Sequence, residues 1–426
     1  MDKIANKRPV FPPEIFEHIV DEVGDSFSTL KSCSLVSHDW LPRSRQHLFR
    51  SITLPAMSSD PRNVFTDIAP SETGGESMLL ELLHSSPLLV HFVQKLTLDF
   101  RYSSQLVRVS EPLLIDLGPK INRLRELTLF MLPMHEFPSG MGCFLPDLLR
   151  ANPSLETISI DSCAFEDARS FWELLRHTTQ VSRLKHLSLS GMVLRRFPSD
   201  RELEELTEDC DGRPTPRKCA QLQTLELSQM SSFPLLSAIF IDPNASLFGL
   251  SDLRRVKIRD IGALFFYADL LRAVGSSITH LDFEVGKYVR DEYIQPHFPT
   301  FTSLTHLTLS VAHSRSQLPN LLTVLSHIHL IPTLCHLHIV WPHLNTPLDV
   351  LSDISGCIAL DVTLAGMKGL AEIVVEMRCH CWQGAADLHQ SEVLPRTDRT
   401  GILDLRVVQV SGYTMFGDPI FCDIDE

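Results

Sequence analysis

The chain has 426 residues, a formal net charge of −14 at pH 7 and a hydrophobic content of 44%. The acidic balance excludes general binding to nucleic acid or to an anionic membrane surface, because both need a surplus of lysine and arginine. The apolar content excludes a chain that is disordered over most of its length, and the length indicates two units or a repeat array.

The first residues are polar and charged, and no run of about 18 apolar residues occurs anywhere, so we expect neither a signal peptide nor a membrane span. The 10 cysteines have no framework spacing. Without a secretion signal they are expected to be reduced thiols. The sequence therefore predicts a protein of the cytoplasm, the nucleus or both.

The first predicted elements are short helices within residues 9–54. Pro12 fits the start of a helix, where a missing backbone N–H costs nothing. Ile15 and Ile19 recur with helical spacing on one face, and Gly24 ends this first helix.

A second short helix is predicted around Leu30 and Cys33, and Ser37 is a plausible N-cap for a third helix that runs toward Leu48. The stretch 49–54 alternates apolar and polar residues and is predicted to be a strand. Three short helices over about 40 residues form a very small domain. Part of their apolar surface is therefore expected to meet a partner or the repeats that follow.

The order and spacing of these residues resemble the F-box at the start of many fungal F-box proteins. The resemblance is carried by Phe11-Pro12-x-Glu14-Ile15, Ile19, Leu30, Cys33, Leu35-Val36-Ser37, Trp40 and Leu48-Phe49-Arg50-x-Ile52-x-Leu54. It departs at Phe11, where leucine is more usual. An F-box implies binding to the Skp-type linker of a cullin–RING ubiquitin ligase. The contacts that the resemblance implies are Phe11, Pro12, Ile15, Ile19, Leu30, Val36 and Trp40. The alternative is that these residues pack only internally.

From about residue 90 onward, an apolar-x-x-apolar-x-apolar pattern recurs at intervals of about 30 residues. Its copies are Leu124/Leu127/Leu129, Leu155/Ile158/Ile160, Leu184/Leu187/Leu189, Leu222/Leu225/Leu227, Leu253/Val256/Ile258, Ile278/Leu281/Phe283, Leu304/Leu307/Leu309, Leu334/Leu337/Ile339 and Leu370/Ile373/Val375. The alternation at the end of each copy predicts a short strand. One such strand cannot bury its apolar face alone, whereas stacked copies bury a continuous core.

Segments with helical spacing lie between the predicted strands, for example Phe144–Arg150, Phe171–His177, Phe266–Val274 and Leu321–Ile328. Strand and helix in alternation predict an irregular α/β solenoid with a parallel sheet on its concave side. Residues 90–410 resemble leucine-rich repeats, although the asparagine or cysteine expected after each strand is present only as Cys163. We expect three parts: 9–54 as the helical module, 55–410 as the solenoid and 411–426 as a cap or tail.

Three polar features lie on or beside this predicted array. In a stacked sheet His280, His306 and His336 form a row, which is either a solvated stack or a ligand, pH-sensitive or metal site. The same face carries basic residues on one strand and acidic residues on the next, which either pair with one another or contact a target: Arg255, Lys257, Arg259, Asp282 and Glu284. The acidic insertion 199–220 is either a solvated loop or a docking site for a basic partner.

No catalytic motif is recognisable in the sequence, and no cofactor is expected. The stretch 378–382, Arg-Cys-His-Cys-Trp, lacks the second cysteine pair that a structural zinc site needs, so no metal is expected. We therefore expect a non-catalytic adaptor that binds a Skp-type linker, through it a cullin, and a protein target through the solenoid. The alternatives are a non-degradative scaffold on the same solenoid and an enzyme hidden in it.

Overall fold

A computed structural model describes residues 12–24, 26–55, 82–99, 115–132, 141–196, 198–199, 201–202, 205–206, 220–229, 233–241, 246–259, 267–285, 298–311, 318–344, 354–379, 393–413 and 419–421. Backbone contacts divide the chain into two compact units, Met1–Leu184 and Lys185–Glu426. Phe11, most of the insertion 199–220 and residues 380–382 lie outside the described residues. The division into 9–54, 55–410 and 411–426 stays a prediction.

The first unit begins with three helices and continues with parallel strands. The helices are α1 (Pro13–Glu22), α2 (Phe27–Val36), α3 (Leu41–Leu48), α4 (Pro87–Val90), α5 (Met141–Ala151) and α6 (Ala168–Thr178), with a 3₁₀ turn at Gly118–Lys120. The strands are β1 (Ser51–Pro55), β2 (Lys95–Asp99), β3 (Glu126–Phe130), β4 (Thr157–Asp161) and the short β5 (Ala164–Phe165). Strands β1 to β4 pair in chain order, all parallel.

The second unit repeats the strand-and-helix pattern. Its strands are β6 (His186–Ser190), β7 (Val193–Leu194), β8 (Thr224–Ser228), β9 (Arg255–Arg259), β10 (His280–Val285), β11 (His306–Val311), β12 (His336–Leu344), β13 (Glu372–Cys379), β14 (Leu403–Tyr413) and β15 (Pro419–Phe421). Its helices are α7 (Phe233–Phe240), α8 (Ala268–Val274), α9 (Leu318–Ser326), α10 (Ile354–Ala365) and α11 (Pro395–Asp398), with 3₁₀ turns at Phe298–Thr300 and Ile328–Leu330. Strands β6 and β8 to β14 pair in parallel, and β15 pairs antiparallel to β14.

The apolar positions of the repeated pattern form the core. In the copy at β3, Leu124, Leu127 and Leu129 are 0%, 1% and 1% exposed, and the residues between them are half-buried or exposed. The mixed α/β fold, with helices at the start and a parallel strand in each repeat, is therefore confirmed. No helix among the described ranges is both long enough and apolar enough to span a membrane.

One carbonyl before each strand sets the register of the next repeat. The Lys185 carbonyl accepts hydrogen bonds from two successive N–H groups, those of Gln223 and Thr224, at 2.8 and 3.0 Å. The arrangement recurs in both units, with carbonyls of Arg50, Gln94, Arg125, Gln223, Arg254, Thr279, Thr305 and Cys335 as acceptors. Each repeat therefore begins level with its neighbour, and equivalent side chains line up across the strands.

The residue directly after several strands adopts a left-handed backbone. Met131, Ser162 and Gln229 have φ of 51°, 53° and 48°, and Gly191 has φ of 58°. This conformation costs a non-glycine residue about 1 kcal/mol. It turns the N–H toward the following strand: Met131 donates to the Asp161 carbonyl at 2.8 Å and Gln229 donates to that of Arg259 at 3.1 Å. These turns connect repeats that lack the expected asparagine.

Two buried polar residues add side-chain bonds in the first unit. Cys163 donates its thiol to the Leu129 and Asp161 carbonyls at 3.6 and 3.4 Å, in agreement with the prediction that it occupies the turn position. Burial raises the pKa of this thiol to about 12, so the S–H remains available to donate. Asn152, which the sequence pattern did not reveal, accepts from the Leu124 N–H at 2.7 Å and donates to the carbonyls of Ile121 and Leu148.

The predicted N-cap of the third helix was wrong. Ser37 has an extended backbone and ends α2, whereas α3 begins at Leu41 with Pro42 in its first turn. Proline is favoured there because its φ is already helical and its missing N–H has no partner in a first turn. A serine N-cap is found at the preceding helix: the Ser26 side chain caps α2 and accepts a hydrogen bond from the Thr29 N–H at 3.4 Å.

We expect Asn152→Ala to lower the free energy of unfolding by about 2–4 kcal/mol, because it leaves a buried N–H and two buried carbonyls without partners. Urea denaturation measures the loss. Asn122→Ala is the control, since Asn122 is exposed and is expected to change stability by less than about 0.5 kcal/mol. Equal losses in the two variants would contradict the role of Asn152.

Candidate functional site

The helices at the start of the chain leave large apolar side chains exposed. Those of Phe27, Leu35 and Val36 on α2 are 68%, 81% and 65% exposed, and those of Ile15 and Ile19 on α1 are 46% and 42% exposed. Single exposed apolar residues are ordinary, but five within so short a stretch indicate an interaction surface. Phe27 and Leu35 were not among the predicted contacts, although the helical spacing of α2 could have placed Leu35 opposite the buried Leu30.

The other predicted contacts lie differently. Pro12 is exposed and its carbonyl accepts the first-turn bond from Ile15 at 3.0 Å. Leu30 is only 2% exposed, so its side chain supports the module's own core and does not belong to the exposed set. Trp40 is half-buried, with its ring 5.6 Å from that of Phe16. The role of Leu30 as a partner contact stays a prediction, and from sequence spacing alone a core position and a surface position have the same apolar character.

An ion-pair cluster holds α1 against α3. Arg43 contacts both carboxylate oxygens of Asp21, at 2.5 and 2.6 Å, and His47 Nε2 lies 2.8 Å from Asp21 Oδ1. These bonds, first the one from Arg43, hold the pKa of Asp21 well below its usual range. The cluster therefore keeps the exposed side chains of α1 in a defined place relative to α3.

The predicted target residues lie on one face of the second unit, opposite the core. His280, His306 and His336 occupy equivalent positions on β10, β11 and β12. Arg255 on β9 and Glu372 on β13 extend this row at its two ends. We call these five residues the histidine row.

The three imidazole rings of the histidine row stack face to face. The ring centroids of His280 and His306 are 4.2 Å apart with an interplanar angle of 7°, and those of His306 and His336 are 4.3 Å apart at 11°. The predicted row is therefore present. Its spacing follows the separation of neighbouring strands, which is about 4.8 Å in parallel sheets.

Neighbouring hydroxyl groups determine which ring nitrogen carries the proton. Thr305 Oγ1 donates to the Thr279 carbonyl at 3.1 Å, so it accepts from His306 Nδ1 at 2.9 Å. Thr279 Oγ1 donates to the Arg254 carbonyl at 3.2 Å and accepts in the same way from His280 Nδ1 at 2.9 Å. Because a hydroxyl has one proton to give, both neutral imidazoles carry hydrogen on Nδ1 and have a lone pair on Nε2.

The same assignment extends to the third ring. His336 Nδ1 lies 3.2 Å from Glu372 Oε2, and a carboxylate only accepts, so this Nδ1 also donates. Partial burial, followed by the positive potential of neighbouring rings and of Arg255, lowers the pKa of His280 and of His306 below the ordinary value of 6.5. Near neutral pH these two rings are therefore uncharged.

A second cluster lies beside the row on β12 and β13. Glu376 accepts from His338 Nε2 at 3.0 Å and also contacts the guanidinium of Arg378. These bonds, with that from His338 the largest effect, lower the pKa of Glu376 to about 2. Glu376 is 8% exposed and remains charged, because both partners compensate for its loss of water.

Lys257 on β9 does not pair with Asp282 on β10. Lys257 lies level with Asp282 but binds Glu226 on its other side, with Nζ 2.7 Å from Oε1. Asp282 Oδ1 is buried and accepts no hydrogen bond within the described residues. Burial raises the pKa of Asp282. Arg259 and Glu284 lie on the same face, on β9 and β10.

The part of the chain that the structure describes contains no group of three His, Cys, Asp or Glu side chains that could hold a metal ion. The rings of the histidine row stack face to face, whereas a shared metal needs ring nitrogens that converge on one point. The cysteine of 378–382 that is described, Cys379, is buried.

The folded state is expected to lose stability as pH falls below 6.5, because the unfolded chain then protonates His280 and His306 before the folded chain does. The loss ends once the pH is below the folded pKa values. His280→Gln/His306→Gln should flatten the dependence of urea stability between about pH 7 and pH 5. His18→Gln, at an exposed position on α1, is the control. An unchanged slope in the double variant would contradict the lowered pKa values.

No family model matches this chain, and no curated protein does. Among solved structures it resembles the crystal structure of the Rad7 and Elc1 complex in yeast, with 13% identity over 96% of this chain and 98% of that one, at a TM-score of 0.36. A similarity at this TM-score carries no conclusion about the function or partners of this chain.

Proposed function

We propose that this chain is a non-catalytic, substrate-recognition adaptor of an SCF-type cullin–RING ubiquitin ligase, acting in the cytoplasm or nucleus. Its helices α1 to α3 bind a Skp-type linker and, through it, a cullin. The repeats that follow hold a protein target. The proposal rests on the F-box-like order of residues in this stretch and on one structural observation, the five exposed apolar side chains of α1 and α2.

Exposed apolar side chains on so small a module are best explained by a partner. Burial of a Val, Ile, Leu or Phe side chain contributes about 1.5–3 kcal/mol, so several of them can supply the affinity of a stable contact. The Asp21 cluster fixes α1 on α3 before a partner arrives, which lowers the ordering cost of binding.

The adaptor contributes position rather than chemistry. When helices α1 to α3 are attached to the ligase and the repeats hold a target, the effective concentration of the target near the ubiquitin donor rises. No catalytic group on this chain is needed for that role.

Co-purification tests the proposal with the full chain, a fungal Skp-type linker and its cullin. We expect the wild type to recover both partners. Ile15→Asp/Val36→Asp should recover neither, because each change places a charge in the apolar contact and costs about 1.5–3 kcal/mol of binding. Both positions are exposed, so folding of the variant is expected to be unaffected.

The matched control is Ile358→Asp/Val362→Asp on α10, where the two side chains are 56% and 45% exposed. It removes a similar exposed apolar area from the second unit and should recover both partners. A folded wild type that captures the linker without the cullin, or neither protein, would refute the ligase role and favour a non-degradative scaffold.

A further inference from the structure

We propose that the face of β10 to β13 around the histidine row binds a protein segment that carries arginine or lysine side chains. The inference deepens the proposed function, on which it rests, by stating the chemistry of the target. It is argued from the hydrogen-bonding capacity and the charge of the described residues on this face.

The three imidazoles of this face present acceptors rather than donors. The Nδ1–H groups of His280, His306 and His336 are all taken by hydroxyl or carboxylate oxygens of the protein. No described residue bonds their Nε2 atoms, whose lone pairs remain for a partner on rings with centroids 4.2 and 4.3 Å apart. A row of acceptors is complementary to a side chain with several N–H groups, and guanidinium and ammonium groups have such donors and no acceptor.

The charge of the face has the matching sign. From β10 to β13, the carboxylates of Asp282, Glu372 and Glu376 outnumber the one described cation on this face, the guanidinium of Arg378. β9 lies at the border of this region and carries Arg255, Lys257 and Arg259, of which Lys257 is paired with Glu226. A basic segment placed over β10 to β13 therefore meets an excess of negative charge.

Asp282 is the second, independent observation that a donor is missing. Asp282 lies on β10, two residues after His280 and on the same face. Its Oδ1 is buried, and no described residue donates a hydrogen bond to that oxygen. A buried acceptor without a partner costs free energy, and a cationic donor from a target relieves that cost. Burial raises the pKa of Asp282, and a bound cation would lower that pKa by stabilising the carboxylate.

The proposal has a defined pH dependence. Acid converts the lone pairs of the histidine row into N–H donors with positive charge, which repel a basic segment. The titratable and charged groups on this face include, strand by strand, Arg255, Lys257 and Arg259 from β9, Asp282 and Glu284 from β10, His338 from β12, Glu372, Glu376 and Arg378 from β13 and Arg406 from β14. A segment held by carboxylates alone would stay bound until those carboxylates protonate, at lower pH.

The probe is a fluorescein-labelled octa-arginine peptide, titrated with the full chain and followed by fluorescence anisotropy at pH 7.5. Asp282→Asn/His306→Gln should weaken binding at least about fivefold, since it removes a charge and an acceptor. Glu173→Gln on α6 removes the same charge from the first unit and should change binding less than about twofold. For the wild type, binding should weaken on going to pH 5.5, and labelled octa-glutamate should not bind at pH 7.5.

Equal weakening in Glu173→Gln, or octa-glutamate binding as tightly as octa-arginine, would overturn the inference. Urea denaturation verifies that Asp282→Asn/His306→Gln is folded. The test needs no linker, and the linker-binding variant Ile15→Asp/Val36→Asp should bind octa-arginine as the wild type does. If the wild type captures no linker but binds octa-arginine, only the ligase role is refuted. If it captures the linker but does not bind octa-arginine, only this inference is refuted.

Discussion

The paired hydrogen bonds that start each repeat are the constraint on which the other features depend. A single carbonyl, such as that of Thr305, accepts from two successive N–H groups of the next repeat, here Cys335 and His336 at 3.0 Å each. A shift of one residue would break both bonds and turn the apolar residues of the strand away from the core. The register is therefore the same from one repeat to the next, and so is the alternation of buried and half-buried side chains.

Equal register brings like residues together on the polar face as well as in the core. Three histidines stack because each is the first residue of its strand, and lowered pKa values keep two of the rings, His280 and His306, uncharged near neutral pH. The threonines that precede His280 and His306 have a double role: their hydroxyls bind a carbonyl of the previous repeat and accept the ring N–H. The same bonds that stabilise the repeats thus determine which ring nitrogen is left for a partner.

The two candidate surfaces differ in physical character. The α1 and α2 surface is apolar and suits a lasting contact in which hydrophobic burial supplies the affinity. The face around the histidine row is polar, and its binding energy would depend on hydrogen bonds, charge and pH. A stable contact through one surface and a reversible, pH-dependent one through the other are what the proposed adaptor role would require.

The sequence alone determined the repeats, the strand positions, the order of the first helices and the alignment of the three histidines, because periodicity states which side of an element is apolar. Only the tertiary structure decided where the polar groups find partners. Lys257 binds Glu226 rather than Asp282, Asn152 joins two loops, and Leu30 is buried whereas Leu35 is exposed. The left-handed turns at Met131 and Gln229 were equally hidden. In each case the outcome depends on a neighbour from a distant part of the chain, and local spacing carries no information about that neighbour.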